Sequence, residues 1–199
     1  KQANLILGVP YSPESRVRQI RDFYGRRNEM QKLISVVTGE HQRVDQKCHA
    51  LILGGPATGK EALLDELCYL SRQQGSDLNT GRRLVRLTFG GVHSDTPASF
   101  VYRKFLHAMA EDAQGTALEE PIRDAYADSE RANCTAFLEF LDQPGIRDRY
   151  PDLVFLVNKL PRLLEYEDQT DHERGGVQEF WRDLDRLQER VRFVYTARY

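Results

Sequence analysis

Cysteine is scarce: Cys48, Cys68 and Cys134 are odd in number and far apart. They form neither a disulfide framework nor a metal-ligand pattern, and are expected to be free thiols in a reducing compartment. The five histidines, His41, His49, His93, His107 and His172, show no metal spacing either. No apolar run approaches the ~20 residues that a membrane span needs. The opening "KQANLILGVP" has no long apolar stretch and no clear cleavage site, so no signal peptide is expected. A formal net charge of −2 gives no global pull toward nucleic acid, so any such contact must come from a local patch. With 40% apolar and 29% charged residues, the composition is that of a folded globular chain rather than a disordered one.

What is present alternates between two periods. Lys1 to Pro13 reads as part of a leader, set at residues 1–21, before one domain over 22–199. A helical pattern runs from about Ser15 to Thr38, broken by "DFYGRR" and resumed by Met30, Leu33, Ile34 and Val37. "HALILGG" suits a short buried strand, "KEALLDELCYLSRQQG" a helix stopped near Gly75, and "RRLVRLTFGG" a second strand. "HSDTPASFVYRKFLHAMAED" starts with capping residues and a Pro and continues as a helix. Gly115 to Gly145 reads as one or two polar helices with an apolar face at Ala136, Phe137, Phe140 and Leu141. "PDLVFLVNKL" is the clearest buried strand, with five consecutive apolar residues. A helix, "VQEFWRDLDRLQER", and a strand, "VRFVYT", follow, with Phe180, Trp181 and Leu184 at core spacing. Strands alternating with helices predict an α/β fold with a mostly parallel sheet covered on both faces. The abrupt stop after "VRFVYTARY" suggests a part of a larger protein.

Between the first strand and its helix lies "GGPATGKE". Gly54, Gly55, Pro56, Ala57, Thr58, Gly59 and Lys60 follow the G-x-x-x-x-G-K phosphate-loop pattern, inside a strand–loop–helix context. The glycines allow a tight turn that presents amides to phosphate oxygens, and Lys60 adds a positive charge. The plainer reading is an ordinary turn with two glycines. Glu61 stands where a Ser or Thr would hold magnesium. It is either a carboxylate ligand for the metal or only a residue suited to a first helical turn.

A phosphate-loop ATPase usually carries Asp-Glu at the end of a partner strand, for the metal and the attacking water. Here "LVFLVNKL" ends in Asn158 and Lys159. Asn brings no negative charge, and a protonated Lys is no general base. Lys159 either supplies charge in place of magnesium or is a solvated strand end. Asp152 and Glu165 are out of place for the missing roles. Both departures together predict weak or absent hydrolysis.

At this point the motifs suggest a family. "FYGRRNEMQKL" resembles the F-x-G-R-x-x-E-x-x-x-L box that precedes the first strand in AAA+ P-loop ATPases of the initiator (origin-recognition) group, and in the related STAND signalling ATPases. "GGPATGKE", "LVFLVNKL" and "VRFVYTARY" then resemble Walker A, Walker B and the sensor strand, in that order. "VRLTFGGVHSDTPASFVYRKFLHAMAE" looks like the second strand and helix of origin recognition complex subunits, with His93, Ser94 and Asp95 as the marker stretch and local helix cap. The resemblance implies a three-layer AAA+ domain whose lid and winged helix would lie beyond Tyr199. It implies ATP or ADP as cofactor, with or without Mg2+, and Tyr24 and Gly25 near the adenine unless they merely anchor a loop. It places Thr196 at the sensor position and makes Arg198 an arginine finger for a neighbour, unless Arg198 is a surface residue. Implied partners are other AAA+ subunits in a hetero-oligomeric ring around DNA in the nucleus. A STAND-type switch in the cytoplasm and a pseudo-ATPase scaffold without nucleotide are the alternatives.

Two arginine clusters stand apart from these motifs. Arg16, Arg18, Arg21, Arg26 and Arg27 form one, and Arg82, Arg83 and Arg86 the other. Each is either a phosphate-contacting patch for DNA or a solvated face.

Overall fold

The computed structural model describes residues 26–39, 49–55, 57–73, 76, 78, 81–89, 97–127, 132–159 and 176–197, with the backbone alone at 176–178. The elements are α1 (Arg27–Thr38), β1 (Ala50–Leu53), α2 (Lys60–Arg72), β2 (Arg82–Thr88), α3 (Ala98–Asp112), α4 (Glu119–Ala127), α5 (Cys134–Leu141), α6 (Pro144–Arg149), β3 (Asp152–Asn158), α7 (Gly176–Leu187) and β4 (Val191–Ala197). The strands form one all-parallel sheet in the order β1-β4-β3-β2. Parallel neighbours require crossovers, which the helices between the strands supply.

Both faces of the sheet are covered, as the unbroken apolar run of β3 demands. Leu84, Val154, Leu156 and Val194 point to α1 and α2, whose Met30, Leu33, Val37, Leu63, Leu64 and Leu67 complete that core. The alternate positions Val85, Leu153, Phe155, Val157 and Phe193 face α3, α5 and α7. Phe105 of α3 lies at the centre of this second core, among the rings of Phe89, Phe137, Phe155, Phe180 and Phe193. The α/β expectation therefore holds, with a parallel sheet flanked by helices. Among the described residues no helix is long and apolar enough to cross a membrane.

Several local expectations are refined. Helix α2 stops at Arg72, and Gln73 leaves in an extended conformation; Gly75 lies outside the described residues. The stretch from Gly115 to Gly145 reaches three helices. Asn133 starts α5 by accepting the Ala136 amide at 3.0 Å, and Pro144 opens α6. Phe180 is fully buried, while Trp181 and Leu184 pack partly buried against the same core. Cys68 and Cys134 are free thiols; Cys48 lies outside the described residues.

The arginines of β2 are occupied by carboxylates rather than presented as a phosphate patch. Arg82 pairs with Asp152 at 3.2 Å and donates to the Thr38 carbonyl. Arg83 pairs with Asp112 at 2.8 Å, and Arg86 with Asp65. Asp152 also takes Arg192, which is only 4% exposed, at 2.5 Å. Such a buried guanidinium needs its partner, because an unpaired buried charge is strongly destabilising. Asp152 thus anchors the start of β3, at the opposite end from Asn158. In the other cluster, Arg16, Arg18 and Arg21 lie outside the described residues.

His49 precedes β1, and its Nδ1 accepts the backbone amide of Phe193 at 3.1 Å. Burial lowers its pKa from the ordinary 6.5 to about 4; the Arg192 charge acts in the same direction and Asp185 opposes it. The unfolded chain binds this proton near pH 6.5 and the folded chain only near 4, so nothing is lost above 6.5 and stability falls as the pH drops toward 4. About 2 kcal/mol should disappear between pH 7 and pH 5. Urea midpoints at the two pH values measure this, and His49→Gln should remove that part of the loss.

Candidate phosphate-binding site

The carboxyl ends of β1, β4 and β3 are adjacent, because β4 lies between the other two. The loop after β1, Thr196 near the end of β4 and Asn158 at the end of β3 therefore meet at one rim of the sheet. Gly54 leaves β1 with its amide donated to the Ala197 carbonyl at 3.3 Å. The loop then turns through left-handed backbone at Ala57 (φ 55°) and Gly59 (φ 76°) and enters α2 at Lys60. The N-terminus of α2, with its partial positive charge, thus directly follows the loop. A Cβ at Gly54 would stand 2.7 Å from Thr58 Oγ1, so any other residue here would force the Thr58 side chain out of its place in the loop.

The Lys60 ammonium lies inside this turn. It donates to the carbonyls of Gly54 and, at 2.6 Å, of Gly55, with Thr58 Oγ1 at 3.2 Å. Thr58 Oγ1 in turn donates to the Gly55 carbonyl at 2.9 Å. Arg26, the residue just before α1, braces the loop by donating to the Thr58 carbonyl at 2.5 Å. The loop thus unites a glycine closure, a left-handed turn, a lysine cation and a helix N-terminus. This donor set fits a phosphate group. Pro56 within it, and Tyr24 and Gly25, lie outside the described residues.

A polar chain joins the loop to the partner strand. Asn158 Nδ2 donates to Glu61 Oε1 at 2.9 Å, and Thr196 Oγ1 donates to Asn158 Oδ1 at 2.9 Å. The backbone amide of Lys159 completes it by donating to Thr196 Oγ1 at 3.1 Å. Asn158 is 8% and Thr196 1% exposed, so these bonds satisfy groups that are costly to leave bare. Lys159 is held at φ 56°, in left-handed backbone that a non-glycine residue rarely adopts, while its side chain is exposed.

The chain explains why the two departures from the ATPase pattern occur together. A Ser or Thr at 61 could donate to an Asp at 158, with both free to share a metal. Here the polarity is inverted: the carboxylate sits on the helix and the donor on the strand. Glu61 opposite an Asp would set two like charges side by side, an arrangement that calls for a cation or a proton between them. Glu61 opposite Asn158 needs neither. Among the described residues, the Glu61–Asn158–Thr196 chain offers a magnesium ion one carboxylate, Glu61. Among the described residues no group of three or more His, Cys, Asp or Glu is placed to hold a metal.

The structure thus brings Gly54, Gly55, Thr58, Gly59, Lys60, Glu61, Asn158, Lys159 and Thr196 together. Arg198, like His93, Ser94, Asp95 and Glu165, lies outside the described residues. Arg26 was legible as part of the upstream box and of the N-terminal arginine cluster, and nothing in its spacing pointed to the Thr58 carbonyl. No family model matches the chain, and neither a curated protein nor a solved structure matches it.

Proposed function

We propose that this chain is a nucleotide-binding subunit of an AAA+ assembly, resembling the fourth subunit of the DNA replication origin recognition complex, that holds ATP or ADP with little or no hydrolysis of its own. The observation that carries this reading is the Glu61–Asn158–Thr196 chain of hydrogen bonds beside the phosphate loop. The two positions that would hold magnesium, 61 and 158, are bonded to each other instead, and the side chain of Lys159, at the water-orienting position, is exposed. Phosphoryl transfer depends on positioning and electrostatics, so such a site binds without turning over. Lys60 supplies the main charge for the phosphates, and Glu61 with Asn158 supports the rim without a metal.

In this reading Thr196 links the nucleotide rim to the end of β4, which Arg198 follows. Arg198 acts as a finger on a neighbouring subunit's nucleotide, and DNA is contacted through the ring in the nucleus. The experiment is a reconstituted complex carrying Arg198→Ala. Turnover at the neighbour's site should be lost, while the isolated chain shows no turnover with or without the change. A complex with unaltered ATPase activity would remove the finger from the proposal. The scaffold reading is favoured by one contact set: the Lys60 ammonium is already held by the loop's own oxygens.

A further inference from the structure

The outer strand β2 and helix α3 form a second concave surface, which shares no residue with the phosphate-binding site. This half-open groove of about 430 Å³ has Leu87 and Ala108 at its floor and Phe100, Arg103, Lys104 and Tyr126 among its walls. Phe100 is 39% exposed, large for an aromatic ring with no polar group. Arg103 has its guanidinium 4.7 Å from the Tyr126 ring, and its Nε is buried without an acceptor among the described residues. Lys104 lies beside it on the same helix with its ammonium 5.1 Å from the Phe100 ring. The groove's own carboxylate, Glu111, is 3.8 Å from His107 Nδ1.

We propose that this groove binds an acidic, partly apolar peptide segment of a partner protein. A carboxylate fits the planar donor fork of Arg103 at its terminal nitrogens, and Lys104 adds a positive charge beside it. An apolar side chain would cover Phe100 and Leu87. The shape favours an extended segment over a small molecule, since small-molecule sites enclose most of the ligand's surface. The charges favour a peptide over a nucleic-acid strand. Glu111 lines the groove, and α4, which supplies Tyr126, carries Glu119, Glu120 and Asp124 against Arg123 alone. A continuous phosphate backbone would meet those like charges, whereas a peptide places its carboxylates singly.

Fluorescence anisotropy tests this with three labelled probes: a short Gly-Ser peptide carrying one Glu and one Leu two positions apart, the same peptide with Gln for Glu, and an oligothymidylate of equal length. The Glu peptide should bind saturably, the Gln peptide at least about tenfold more weakly. Arg103→Gln and Phe100→Ser should each weaken the Glu peptide by at least about fivefold, and Lys104→Gln by a smaller factor. Thermal melts identify any variant that has lost its fold, and Lys104→Gln, on the helix surface, keeps the charge test open if Arg103→Gln has. Equal binding of the two peptides, tighter binding of the oligothymidylate, or no saturable binding would each overturn the proposal.

Discussion

Phe105→Ala is expected to lower the unfolding free energy by about 3–5 kcal/mol. Phe105 is 0% exposed, with ring centroids of Phe155 at 4.7 Å, Phe180 at 5.6 Å, and Phe137 and Phe193 at 5.7 Å. These rings belong to β3, β4, α5 and α7, so the side chain joins the sheet to its helical cover. Removing it loses the transfer energy of the ring and leaves a cavity that its six aromatic neighbours cannot collapse into. A domain of this size has roughly 5–15 kcal/mol in total, so the variant keeps only a fraction of its margin. Urea midpoints with an unchanged slope measure the effect. Phe105→Leu should lose less, since it retains most of the volume. A loss below about 1 kcal/mol for the alanine would contradict this packing.

Lys60→Ala should weaken ATP binding at least about 100-fold, equivalent to about 3 kcal/mol. The ammonium is the cation held within the turn, by the carbonyls of Gly54 and Gly55 and by Thr58 Oγ1. Backbone amides and the α2 dipole would remain, but each supplies only partial charge. The fold should survive, because the lysine contacts the loop and not the core clusters. Calorimetric titration of wild type and variant checks this, with thermal melts as the control for folding. Equal affinities would show that the loop does not hold phosphate through Lys60.

The parts legible in the sequence were those fixed by local pattern. The continuous apolar run Leu153–Val157 required cover on both faces, and it has it. The glycines of the loop required a tight turn, which Gly59 makes in left-handed backbone. What was not legible depended on residues far apart in the chain. Glu61 and Asn158 are 97 positions apart, and the sequence showed them as two accompanying departures from the pattern, not as bonded partners. Only their juxtaposition shows that the carboxylate and the amide satisfy each other. Arg82, Arg83 and Arg86 looked alike on one strand, yet their carboxylates come from β3, α3 and α2. The end of α2 at Arg72, ahead of Gly75, shows the limit of reading a glycine as a stop. The groove lined by β2, α3 and α4 carries no motif.

The proposed function rests on the inverted polarity at Glu61 and Asn158, and it requires that nucleotide be held without a metal. Titration of the isolated chain with ATP, once in magnesium and once in EDTA, is the most direct measurement. The expected result is saturable binding with dissociation constants equal within about threefold in the two buffers, and no release of phosphate. Binding that appears only with magnesium, or no binding at millimolar ATP, would contradict it.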